Sequence, residues 1–174
     1  MRHEDWNQLN AIVIESVTSL LASSGVETVY AGCAEDRVRG WADTISIIGF
    51  GGDKLRGSLV LSAPDGLLVR THPARGTSEE DLADWLSELA NLLLGQIKAR
   101  LSGLGVSFVM STPITLSATT LRFRRFKGLP VMHAFDSDEG TVVVMFEAIG
   151  DDSAQLAAPA EEPVSLDAGE VILF

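Results

Sequence analysis

The chain predicts an α+β fold in which two long helices pack on a mainly antiparallel β-sheet, and three observations carry that expectation. Apolar residues recur at steps of three and four in two segments, 4–24 and the stretch that opens at Ser78, as they do in helices with one buried face. Four shorter runs, 44–50, 57–63, 131–135 and 141–148, are apolar, alternating or β-branched and are joined in pairs by turn residues, the pattern of hairpins. The order helix, strand, hairpin then occurs twice along the chain, so the fold is expected to be a pseudo-repeat.

With 174 residues and 46% apolar side chains, the sequence fits one domain with its own core. That domain is expected at 1–149. An acidic, proline-containing tail at 150–174 should lie loose on the surface, with a short last strand at 171–174. Twenty-four acidic against thirteen basic residues give a net charge of −11. This opposes attraction to phosphate backbones and anionic lipid, so neither nucleic acid nor a membrane surface is expected as a partner. No run approaches the ~18 apolar residues of a membrane span, and the opening MRHEDWNQLN lacks a basic segment ahead of an apolar one; a cytoplasmic location is expected. Cys33 is alone and cannot form an internal disulfide, while His3, His72 and His133 fall far apart without metal-binding spacing. No metal or cofactor of the chain's own is expected.

In the first helix Trp6, Leu9, Ile12, Val13, Val17, Leu20 and Leu21 share a face, and Gly25 is placed to stop it. Residues 26–32 read as a short strand, followed by a polar connection at 34–43. The apolar run 44–50 should be a buried strand that returns at 57–63 through Gly51, Gly52 and Asp53. These glycines lack the Lys-Ser/Thr of a phosphate loop and no helix follows them, so a hairpin turn is expected in place of a nucleotide site. Residues 64–75 offer one short helical turn around 65–69. The long helix then begins with Thr77 or Ser78 as cap, Glu79, Glu80 and Asp81 where the helix dipole favours negative charge, and Gly103 and Gly105 as its end. Further strands are expected at 106–112, 119–126, 131–135 and 141–148. The cluster Arg122, Arg124, Arg125 and Lys127 reads as protection of an edge strand against mispairing.

On the long helix Leu82, Leu86, Leu89, Leu93 and Ile97, with Trp85 beside them, form the face meant for the core. Asp84, Glu88, Asn91, Gly95 and Lys98 form the opposite stripe. An offset of eighty residues places Gly25 on Gly105 and Val26 on Val106, and one of eighty-three places Gly57 on Gly140. At the first offset Glu88 and Asn91 fall on Gln8 and Ala11, so only the second helix carries the polar pair. Asparagine costs a few tenths of a kcal/mol in a helix relative to alanine, and glycine about 1 kcal/mol. Both unfavourable choices lie on the same stripe. A glycine there leaves room for a partner's backbone, and Leu94 lies near enough to add apolar contact. Asp84, Leu94, Gly95 and Lys98 are therefore the docking candidates around Glu88 and Asn91.

The string ELANLLLGQIKARLSGLGVSF from Glu88, followed by Ser111, Thr112 and Pro113, resembles the signature helix and following strand of the CheX/CheC chemotaxis phosphatases. In that family the helix carries glutamate, two residues, asparagine, then a glycine and a basic residue; the matching positions are Glu88, Asn91, Gly95 and Lys98. The likeness is sharpest over 87–113 and extends more weakly over 4–148. The segment after the first hairpin looks shorter and less helical than the family pattern, and the tail is extra. A single motif makes the chain nearer to CheX than to CheC-like members, which often carry it twice.

The resemblance implies a CheC/CheX-like fold and a phosphatase that dephosphorylates the phospho-aspartate of a CheY-like response regulator in chemotaxis or two-component signalling. Asn91 would orient the attacking water and Glu88 would dock a lysine of the regulator. Mg²⁺ is expected on the regulator, not on this chain. A homodimer, paired through hairpin edges such as 141–148, is also implied. The residue types suit the task, because hydrolysis of an acyl phosphate needs a water held in line with phosphorus. An amide can hold that water without bringing negative charge towards the phosphoryl oxygens. The alternative is a non-catalytic scaffold, CheC-like or flagellar-rotor-like, that binds a regulator without hydrolysis.

Overall fold

The computed structural model describes residues 3–33, 44–117, 131–150 and 156. Among the described residues three helices, α1 (His3–Ser23), α2 (Asp65–Thr71) and α3 (Glu79–Ser102), accompany seven strands: β1 (Val29–Cys33), β2 (Thr44–Gly51), β3 (Leu55–Ser62), β4 (Val109–Met110), β5 (Ile114–Ser117), β6 (Val131–Ser137) and β7 (Gly140–Gly150). They form one sheet in the order β1-β6-β7-β3-β2-β4, with β5 also on β2. All its pairings are antiparallel.

This order reads the same in reverse when β1 is exchanged with β4, β6 with β2 and β7 with β3, as a two-fold internal repeat requires. The helix ends match in detail. Gly25 and Gly105 take positive φ of 77° and 74°, and Val26 and Val106 each donate a backbone hydrogen bond of 3.0 Å, to Leu21 and Leu101 respectively. A glycine tolerates this left-handed turn where a side chain would be strained. The strands that follow match as well. Val29 and Tyr30 pair with β6 before a register shift ahead of Gly32; Val109 and Met110 pair with β2, and the register has slipped by one residue when Ile114 meets Ile47.

Helices cover one face of the sheet. Leu9, Val13 and Val17 of α1 and Leu86, Leu93 and Ile97 of α3 meet Leu59, Leu61, Val144 and Phe146 in one buried cluster, where successive strand residues alternate between this face and the other. The other face carries a smaller cluster of Ile45, Val60 and Met145, flanked by Ile47 and Met132. Among the described residues no helix is long and apolar enough to cross a membrane.

Several expectations need correction. The first strand starts at Val29, not 26, because Val26 is spent closing the end of α1 and is buried. The strand expected at 106–112 shrinks to β4, and β5 follows it. Between them Pro113 has no N–H to donate, and Ser111 instead exchanges two 2.9 Å hydrogen bonds with Gly49, through its own N–H and through its hydroxyl. Residues 65–71 form a full helix, α2, with Leu67 and Leu68 in the core; the segment is not poor in helix. Strand β7 is bonded to β3 on one side and β6 on the other, so 141–148 offers no free edge for a second copy. The glycine hairpin is explained by packing, since a Cβ on Gly52 would run into the Ser107 carbonyl. The strand expected at 119–126 with its basic cluster, the connection at 34–43 and the last strand at 171–174 lie outside the described residues. Within the tail, Leu156 is buried and donates its N–H to Asp5 at 3.2 Å.

Candidate functional site

Helix α3 is fixed at its start, its middle and its end. Ser78 accepts from the Asp81 N–H at 3.1 Å while the Asp81 carboxylate accepts from the Ser78 N–H at 3.3 Å, a reciprocal cap that satisfies two otherwise unpaired donors. Hydrogen bonds from the Ser78 side chain and backbone hold the Asp81 carboxyl below its ordinary pKa. The Trp85 indole N–H donates to the Thr71 hydroxyl at 2.9 Å and ties α2 to α3. Arg100 and Glu15 form a 2.7 Å ion pair between α3 and α1. On one flank Ser87 and Thr115 share a hydroxyl–hydroxyl hydrogen bond, and Thr115 also donates to the Ala83 carbonyl at 3.3 Å. Strand β5 is thereby clasped against the helix.

The stripe opposite the core is present as expected. Asp84 and Glu88 are exposed, and Asn91, Gly95 and Lys98 are half-buried on the same face of α3. Neither the Glu88 carboxylate nor the Asn91 amide has a hydrogen-bond or ion-pair partner among the described residues. The matching positions of α1, Gln8 half-buried and Ala11 exposed, lie on a surface face without this chemistry.

One docking candidate does not survive. Leu94 is 0% exposed and belongs to the core; Leu92, 41% exposed, is the apolar side chain that faces solvent beside Glu88. At about 100° per residue, Leu92 and Leu94 flank the stripe almost symmetrically, so periodicity alone does not say which is covered. Packing decides: Ala83 and Ser87, on the Leu94 flank, are the residues clasped by β5. An i, i+4 step from Glu88 was the one signal for Leu92.

The pair lies on the outward side of α3, with Glu88 exposed and Asn91 half-buried. A cleft of about 640 Å³ lies between the end of α1, the start of β1 and the β6–β7 turn, and its lining, including Glu27, Asp136 and Asp138, contains no α3 residue. Among the described residues no three His, Cys, Asp or Glu side chains are grouped to hold a metal. A carboxylate and an amide on an outward face can bind and orient a group brought to them.

Comparisons with known proteins agree with this architecture. The solved CheX of Vibrio vulnificus superposes with a TM-score of 0.70 at 20% identity, covering 81% of this chain and 96% of that one. CheX of Desulfovibrio desulfuricans gives 0.68 at 19% identity over 83% and 99%, and a CheX–CheY–BeF3–Mg²⁺ complex from Borrelia burgdorferi gives 0.65 at 15% identity over 84% and 99%. At these identities the likeness shows a shared fold. No curated protein matches the chain by sequence. The family model for the chemotaxis phosphatase CheX matches residues 44–135, more than half of the chain and the part that holds α3. The chain therefore belongs to the CheX family of chemotaxis phosphatases.

Proposed function

We propose that the protein dephosphorylates the phospho-aspartate of a CheY-like response regulator, with Asn91 orienting the attacking water and Glu88 docking a regulator lysine. The observation that carries this reading is the pair itself: an exposed carboxylate and a half-buried amide, one turn apart on a rigidly held helix and without partners among the described residues. Membership of a chemotaxis-phosphatase family supports it, as does the relative solved with CheY, beryllofluoride and Mg²⁺. The regulator brings the phosphoryl group and its Mg²⁺; the present chain brings position. Asn91 accepts a hydrogen bond from the water through its carbonyl oxygen, and its neutral amide does not repel the phosphoryl oxygens. Holding a nucleophile in line is a large part of what a protein can add to such a reaction. Asp84 and Lys98 extend the docking stripe on either side. This reading places the protein in the cytoplasm with its regulator.

A homodimer belongs to the same proposal, and its support lies at the β4–β5 side of the sheet. Val109, Ile114 and Leu116 are 73%, 63% and 43% exposed there, a concentration of apolar surface typical of interfaces.

Phosphate release from a phosphorylated CheY-like regulator tests the central claim. Asn91→Ala should lower the accelerated rate on the order of 10²-fold with the fold intact, and Glu88→Ala should mainly weaken regulator binding. An Asn91→Ala protein as active as wild type would refute the mechanism. Binding without any change in phosphate lifetime would instead favour a scaffold.

A further inference from the structure

Nothing among the described residues accounts for a glycine at position 95 of α3. It lies inside the helix and is not among the glycines with positive φ, and a Cβ built on it meets no described residue within 4 Å. Alanine would fit in both conformation and space, yet glycine weakens a helix interior relative to alanine. Gly52 differs, because there the Ser107 carbonyl excludes a side chain. A residue that weakens its helix without relieving any contact points to something that approaches from outside.

Its neighbours say what that approach meets. Glu88, Asn91, Leu92 and Gly95 stand at i, i+3, i+4 and i+7, so they form a diamond on one face with the glycine at its foot. The missing Cβ leaves the backbone of that turn bare beneath Asn91 and the 41%-exposed Leu92. We infer that Gly95 is the seat of a close backbone contact, with Leu92 as its apolar anchor, for the receiver domain of the phosphorylated regulator. This rests on the function proposed above and adds to it a device that sets docking depth. A methyl group at 95 lifts the receiver domain away from the helix by on the order of 1 Å, and a misplacement of that size at a reacting centre costs up to about 10²-fold in rate. Leu92 acts differently, since it supplies buried area and so holds the complex without setting the position of the water.

The two residues therefore have separable signatures. Phosphate release is measured with a phosphorylated CheY-like receiver domain, and binding with the same domain activated by beryllofluoride and Mg²⁺. Gly95→Ala should melt about 2–4 °C above wild type while its phosphate release at saturating receiver falls at least tenfold, so that misfolding does not account for the loss. Leu92→Ala should raise the half-saturating receiver concentration about tenfold and keep the saturated rate. The inference is overturned if Gly95→Ala is less stable than wild type, if it releases phosphate at the wild-type rate, or if Leu92→Ala leaves the half-saturating concentration unchanged. It is equally overturned if the substitutions change only self-association, for then a second copy of this chain occupies the surface. A wild type that requires Asn91 beside an unaffected Gly95→Ala removes this inference and leaves the phosphatase reading standing; a wild type that neither binds nor dephosphorylates the receiver removes both.

Discussion

His133 stands in the interior of the sheet, 1% exposed, with Nδ1 3.0 Å from the Tyr30 hydroxyl and a buried Nε2 that has no hydrogen-bond partner among the described residues. Cys33 is its cross-strand neighbour on β1 and Val144 its neighbour on β7. Burial lowers its pKa from 6.5 to about 4. Between those values the unfolded chain binds a proton that the folded chain refuses. Its contribution to stability is thus complete above pH 6.5 and is lost as the pH falls towards 4, amounting to about 2 kcal/mol by pH 5. The urea midpoint of wild type should drop between pH 7 and pH 5, and His133→Phe should flatten that drop. An equal fall in the variant would assign it to other groups. At this scale sequence is an uneven guide. The exposure of Glu88 follows from helical period, whereas the burial of His133 depends on which strand faces which layer, and the contrast between Leu92 and Leu94 depends on β5.

Among the elements, α3 was legible almost to the residue because its signals are local: a serine cap, acidic first turn, leucines at steps of three and four, and glycines at its end. The cap has a measurable share in holding the site. Ser78→Ala removes one acceptor and disrupts the reciprocal bond with Asp81, which should cost about 1 kcal/mol and lower the melting temperature by about 2–4 °C. An unchanged melting temperature would show that packing against the core suffices. Strands were less legible where their limits are set by a neighbour. β4 and β5 exist because they run along the outer edge of β2, with Ser111 carrying the ladder past Pro113, and no pattern within 106–117 encodes that edge. Helix α2 was underestimated for a related reason, since its seven residues are held by Leu67 and Leu68 in the core more than by helix propensity.

At the scale of the whole molecule, the internal repeat sets the helix that carries the polar pair beside a twin that lacks it. Both helices lie on the same side of one sheet whose strand order is its own reverse, yet the face of α1 that matches Glu88 and Asn91 carries Gln8 and Ala11. The opposite side of the sheet carries the apolar surface on which the dimer is proposed. Ile114 pairs with Ile47 and Leu116 with Ile45, so both point away from the helices, in line with the apolar cluster of Ile45, Val60 and Met145. Thr115, between them, points back and hydrogen-bonds α3. Assembly through Ile114 and Leu116 would therefore use the face of the sheet opposite the helices and leave the Glu88 and Asn91 stripe uncovered. Sedimentation should give twice the mass of the chain for wild type, and Leu116→Lys should give the single mass while phosphate release per chain is retained. A monomeric wild type would remove the dimer from the proposal. A Leu116→Lys monomer without activity would mean instead that the second copy supports α3, through the Ser87–Thr115 clasp that joins the assembling strand to the working helix.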